Sequence, residues 1–156
     1  MSINAEYVNP FLEAASVVFK SILNTDLRKG KLVIKESPSP SMDISIIIGI
    51  TGDITGQVIY SMELHTVRKI ADALAPGLSD EQLKREYPDI IGELGNMITG
   101  NAMNLFASNA KVIDITTPTV IEGKNFIINM VKQVTLGINL YSPMGQIELN
   151  IALKCA

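Results

Sequence analysis

Tryptophan is absent, cysteine and histidine occur once each, and aromatic residues make up only 5% of the 156-residue chain. Each shortage removes a class of explanation. With Cys155 the only cysteine, no intrachain disulfide and no cysteine-rich zinc site can form. The thiol falls at an expected strand end and reads as an incidental group in a reduced, cytoplasmic protein. With His65 the only histidine, a Ser/His/Asp hydrolase has no other base to use. His65 follows Glu63 and Leu64 at an expected helix start, where nothing suggests a triad. Concentrated positive charge is also missing. The net charge is −3, and Arg68-Lys69 and Lys84-Arg85 are isolated pairs, so no nucleic-acid partner is expected. The most apolar run, residues 46–50, is too short to span a bilayer. The first six residues carry neither the basic region nor the apolar stretch of a signal peptide, so no membrane role is expected.

What the chain has is aliphatic. Apolar residues make up 47% of it and charged residues 19%, which suits a single domain over 1–156 with a core of Ile, Leu, Val, Met and Ala. Val8, Phe11, Leu12, Ala15, Val18, Phe19 and Ile22 recur at spacings of three and four and predict a helix over 4–23, ending at Asn24 and Asp26. Residues 32–35 read as a short strand, and 37–41, with Pro38 and Pro40, as a loop. Residues 42–50 and 54–62 form a hairpin through Thr51-Gly52-Asp53. A short helix over 65–74 stops at Pro76-Gly77, and Ser79 with Gln82 forms a capping box for the next helix. That helix runs over about 80–108, interrupted or kinked near Pro88. Strands are expected over 112–115, 127–140 and 146–153, with Val120-Ile121 leading to a turn at Gly123. The order implies an α+β fold with a mainly antiparallel sheet. There is no Gly-rich phosphate loop.

The helix after Pro88 holds the candidate chemistry. Ile91, Leu94, Ile98, Ala102 and Leu105 form its core stripe, and Asp89, Glu93, Asn96 and Gly100 form a second column. Steps of four, three and four keep neighbours in that column within roughly 40–60° of each other around the axis. Gly92, Gly95 and Gly100 each cost about 0.8–1 kcal/mol relative to alanine in a helix interior. Close packing on another element accounts for any one of them. A partner docking over Glu93 and Asn96 accounts for the glycines and the polar column together. A carboxamide offers both a donor and an acceptor, which suits it to hold a water in line with an electrophilic phosphorus. Phosphoryl transfer needs such positioning more than covalent help from the protein. A carboxylate can anchor a partner's lysine through a charge-assisted bond. Taken alone, Glu-x-x-Asn is a short motif whose commonest meaning is a solvated helix face.

The surrounding residues narrow that choice. The chain resembles the CheX family of chemotaxis phosphatases, relatives of CheC, over nearly its whole length. The resemblance includes Asn9-Pro10-Phe11-Leu12-Glu13-Ala14 and Gly52-Asp53-Ile54-Thr55-Gly56. It is strongest in Glu93-Leu94-Gly95-Asn96-Met97-Ile98-Thr99-Gly100-Asn101-Ala102, with Pro118 matching the family's later proline. Asp89 stands where the family has Asp or Ser, four residues before the glutamate. The resemblance implies a phosphatase acting on the phospho-aspartate of a CheY-type response regulator. Glu93 would engage a lysine beside the phosphorylation site and Asn96 would orient the attacking water. Asp89, Gly92, Gly95 and Gly100 would meet the partner. The resemblance further implies no cofactor of the chain's own, Mg2+ held by the regulator, no phosphoenzyme, and a homodimer formed through the sheets. A single motif copy agrees with the CheX type, whereas CheC-like relatives often carry two. Asp89 can equally serve the helix N-terminal dipole or the structure. Three alternatives stand beside this reading. One is a non-catalytic response-regulator or flagellar-switch binding module. Another is a phosphatase for a regulator outside chemotaxis, and the third is a structural or sensory domain.

Overall fold

A computed structural model of the chain describes residues 5–36, 40–107, 112–123 and 133–155. The expected positions Asn4, Ser37, Pro38, Ser39, Ser108 and residues 127–132 lie outside the described residues. Within them, helices α1 (Val8–Val18), α2 (Leu64–Leu74) and α3 (Asp80–Ala107) accompany seven strands. The strands are β1 (Arg28–Lys35), β2 (Ile44–Gly52), β3 (Ile54–Met62), β4 (Ile113–Ile115), β5 (Thr119–Glu122), β6 (Thr135–Ser142) and β7 (Gly145–Cys155). They form one antiparallel sheet in the order β1-β6-β7-β3-β2-β4, with β5 also paired to β2. The α+β expectation is met.

Alternation at period two decides which face of the sheet is covered. Ile44, Ile46, Ile48 and Ile50 of β2 join Val58, Tyr60 and Met62 of β3, Ile147, Leu149 and Ile151 of β7, and Leu136, Ile138 and Leu140 of β6 in one buried cluster. The register lines them up across the sheet: Ile46 opposite Tyr60, Tyr60 opposite Leu149, Leu149 opposite Ile138. Phe11 and Val18 of α1, Val67 and Ile70 of α2, and Ile91, Leu94 and Ile98 of α3 complete the same cluster. The rings of Tyr7 and Phe11 pack on Phe106 at centroid distances of 5.8 and 6.2 Å, tying α1 to the far end of α3.

The other face carries a polar network. Lys35 Nζ donates to Glu148 Oε1 at 3.2 Å and to Asn150 Oδ1 at 2.7 Å, while Ser41 Oγ and Asn150 Nδ2 donate to the Glu148 carboxylate. Burial pushes the Glu148 carboxyl up, but these hydrogen bonds and the Lys35 ammonium outweigh it and hold the group below its ordinary value.

Several boundaries move from their expected places. The first helix opens with a 3-10 turn (Ala5–Tyr7) and closes with a π turn (Phe19–Leu23), where Asn24 takes the left-handed conformation at φ 50°. The strand expected over 32–35 begins at Arg28, because pairing with β6 extends it past an irregularity between Lys29 and Leu32. The described part of the strand expected over 127–140 starts only at Thr135 and continues to Ser142. The expected interruption at Pro88 is absent from the helical assignment, since α3 is continuous across it. The capping box is present: Gln82 N–H donates to Ser79 Oγ at 3.2 Å, and Ser79 N–H donates to Gln82 Oε1 at 2.9 Å. Leu105 is not a core residue. It is 37% exposed, and Met103 and Phe106 take the buried places at that end of α3.

Candidate functional site

The α3 backbone is fixed to the sheet beneath the polar column. Thr99 donates its hydroxyl proton to the Gly95 carbonyl at 2.8 Å. The Tyr60 hydroxyl lies 2.8 Å from Thr99 Oγ1, so Tyr60 is the donor in that contact. Burial raises the Tyr60 pKa and keeps its proton in place. Gly95 lies against β2, where an added Cβ would meet Ile46 Cγ2 at 3.0 Å and Ile48 Cδ1 at 3.5 Å. The missing side chain lets helix and sheet approach closely. Gly95 is therefore buried between helix and sheet.

The other expected residues divide as follows. Asp89 and Glu93 are exposed, while Asn96 and Gly100 are half-buried on the same side of the helix. Among the described residues no ion pair reaches either carboxylate; the two that occur are Lys20–Asp26 and Lys35–Glu148. Gly92 is buried, with Pro118 Cγ and Val120 Cγ2 each 3.7 Å from where its Cβ would stand. Among the described residues nothing lies within 4 Å of an added Cβ at Gly100. Gly100→Ala is accordingly expected to stabilise the isolated protein by about 0.8–1 kcal/mol, read from urea unfolding. An unchanged or lower stability would show that the glycine is needed by the fold itself.

Beside the column lies a cleft of about 460 Å3, lined by Pro88, Asp89, Gly92, Glu93, Thr117, Pro118 and Val120. Its far wall comes from the chain between β4 and β5, which both pair with β2. Nothing along the chain signals that residues 116–118 face α3. The proline among β-branched residues signals only that regular pairing is forbidden there. An exposed carboxylate and a half-buried carboxamide, one turn apart on a helix anchored to a sheet and open on one side, fit the class of proteins that work on another protein's surface.

Comparison with known proteins gives that class a family. The model of the chemotaxis phosphatase CheX family matches residues 44–138. A curated protein of Thermotoga maritima, CheY-P phosphatase CheX, is 31% identical over 162 aligned residues, spanning 97% of each chain. The chemotaxis protein CheX of Vibrio vulnificus has a crystal structure similar to this fold, with a TM-score of 0.82 at 28% identity over 96% of this chain and 100% of that one. A chain of the CheX-CheY-BeF3-Mg2+ complex of Borrelia burgdorferi gives a TM-score of 0.79 at 30% identity over 97% of this chain and 99% of that one. This chain belongs to the chemotaxis phosphatase CheX family.

Proposed function

We propose that the protein removes the phosphoryl group from the phospho-aspartate of a CheY-type response regulator in bacterial chemotaxis, with Glu93 anchoring the regulator and Asn96 aiming the attacking water. The observation that carries this reading is the placement of an exposed Glu93 and a half-buried Asn96 on one open face of α3 in a chain of this family. Water attacks phosphorus as the bond from phosphorus to the aspartyl oxygen breaks. The products are inorganic phosphate and the regulator's free carboxylate. Asn96 accepts a hydrogen bond from the water and fixes its line of attack, while the water's proton leaves with the phosphate product and the neutral carboxamide takes none. The Mg2+ that offsets charge on the phosphoryl oxygens belongs to the regulator, and no phosphoenzyme forms. Asp89 and Gly100 extend the docking face at either end of the column, and Gly92 floors the cleft beside it. A cytoplasmic location follows from this activity.

Sub-stoichiometric protein should shorten the lifetime of a phosphorylated CheY-type regulator through many turnovers. Binding without any acceleration would instead favour the non-catalytic binding module.

The same reading includes a homodimer formed through the sheet. Its support is β1, whose one partner strand among the described residues is β6 and which exposes Leu32, Val33 and Ile34, the last at 72%. An exposed apolar edge strand invites pairing with another. Light scattering should give twice the 16.9 kDa chain mass, and Ile34→Lys should shift it towards the monomer. A monomeric wild type would overturn the assignment.

A further inference from the structure

Tyr60 is the largest of the fully buried side chains. An aliphatic core needs no phenol there, since a phenylalanine would fill nearly the same space with no polar atom to satisfy. The phenol spends its hydroxyl on Thr99, which is as deeply enclosed, and Thr99 spends its own on the Gly95 carbonyl. The result is a chain of two hydrogen bonds, 2.8 Å at each step, running from the sheet to one carbonyl of α3. Burial keeps the phenol protonated, so the chain has one direction. It ends on a particular peptide. The Gly95 carbonyl and the Asn96 N–H belong to one planar unit, and holding one holds the other. That unit adjoins the residue type with the widest choice of backbone angles. In a regular helix its carbonyl receives only the N–H four residues on, that of Thr99 itself. Here the Thr99 side chain occupies the second acceptor position as well. The other end of the chain is held by the sheet. Tyr60 stands on β3, opposite Ile46 of β2 and Leu149 of β7, with strands paired on both sides. A Cβ added to Gly95 would lie 3.5 Å from Tyr60 Cδ2, so the helix also rests on the ring.

We propose that Tyr60 and Thr99 are positioning residues for the hydrolysis: their hydrogen-bond chain locks the Gly95–Asn96 peptide to the interior of the sheet and so sets where the Asn96 carboxamide presents its oxygen. This role rests on the phosphatase reading, in which Asn96 aims the water. Both residues are buried and act through Asn96, with no contact to the regulator of their own. Glu93 is exposed and precedes the pinned peptide, so docking does not draw on the chain. Loss of the chain should therefore appear in kcat and not in affinity. A displacement of about 1 Å at a reacting group costs on the order of 100-fold, and a peptide still held by the rest of its helix moves less, so a fall of about tenfold is expected. A tie that served stability alone would leave kcat of the folded protein unchanged.

The test takes three readings on the full-length protein: kcat for a phosphorylated CheY-type regulator, affinity for the beryllofluoride-loaded regulator, and the NMR order parameter of the Asn96 backbone amide in the free protein. Thr99→Val keeps the shape and removes the hydroxyl. It should lower kcat about tenfold while affinity stays within about twofold of wild type. The Asn96 order parameter should fall below the rigid value of about 0.85. Thr99→Ser, which keeps the hydroxyl, should restore all three readings. Tyr60→Phe should lower kcat by about threefold, because the bond from Thr99 to Gly95 survives and only its polarisation by the phenol is lost. Added to Asn96→Ala, Thr99→Val should cause no further fall, since its effect passes through the carboxamide. An unchanged kcat or an unchanged order parameter in folded Thr99→Val would overturn the proposal, as would a full further fall in the Asn96→Ala background. If Thr99→Val does not fold, Tyr60→Phe decides by the same readings. If the wild type hydrolyses nothing, the phosphatase reading falls by itself, and the order parameter alone judges whether the chain holds Asn96.

Discussion

Asn96→Ala is expected to lower kcat by at least about 100-fold, the scale on which removal of one preorganised hydrogen-bonding group at a reacting centre is felt, with regulator affinity nearly unchanged. The size follows from what the carboxamide is asked to do. In the proposed mechanism the regulator brings the metal and the acyl phosphate, so what remains to be supplied is a water held in line. Alanine offers neither donor nor acceptor, and the water would return to bulk disorder. The fold should tolerate the change. Asn96 is half-buried, whereas the residues that hold α3 to the sheet are its neighbours Ile91, Leu94, Ile98 and Thr99. Steady-state kinetics beside a thermal unfolding curve would check both halves, and a normal kcat with a normal melt would remove Asn96 from the mechanism.

Glu93→Ala should act on the other constant. A hydrogen bond to a charged partner contributes about 1.5–3 kcal/mol, which corresponds to roughly a 10- to 150-fold loss of affinity. The exposure of Glu93 in the free protein places the effect towards the lower end, since solvent screens the pair until docking is complete. Because Glu93 and Asn96 lie one turn apart, Glu93→Ala lets the regulator sit imperfectly, and a modest fall in kcat should accompany the rise in KM. Titration calorimetry with a beryllofluoride-loaded regulator separates the two. Wild-type affinity in the alanine variant would reject the anchoring role.

Much of this arrangement is legible along the chain. The hairpin of β2 and β3, the capping box at Ser79 and the buried stripe at Ile91, Leu94 and Ile98 follow from period and turn chemistry, which are local properties. The column Asp89, Glu93, Asn96 and Gly100 is equally local, because helix geometry alone puts those positions side by side. The three glycines show where local reading stops. Their sequence settings are alike, but Gly95 is buried against Ile46, Gly92 against Pro118, and Gly100 meets nothing among the described residues. Only the position of the sheet and of the β4–β5 segment tells them apart. The pair of hydrogen bonds between Thr116 and Gly49 joins residues 67 positions apart and leaves no periodic trace in either segment. Leu105 departs from its expected place for a related reason: Phe106, its neighbour, is the residue that packs on the rings of Tyr7 and Phe11.

A single-turnover experiment tests the role of Asn96 most directly. A phosphorylated CheY-type regulator is mixed with saturating wild-type protein, with saturating Asn96→Ala, or with buffer, and loss of its phosphate is followed in time. Wild type should collapse the lifetime of the phospho-aspartate, while Asn96→Ala, bound to the regulator to the same extent, should leave it close to the buffer value. Hydrolysis by bound Asn96→Ala at the wild-type rate would contradict the assignment of the water-aiming group at the centre of the mechanism.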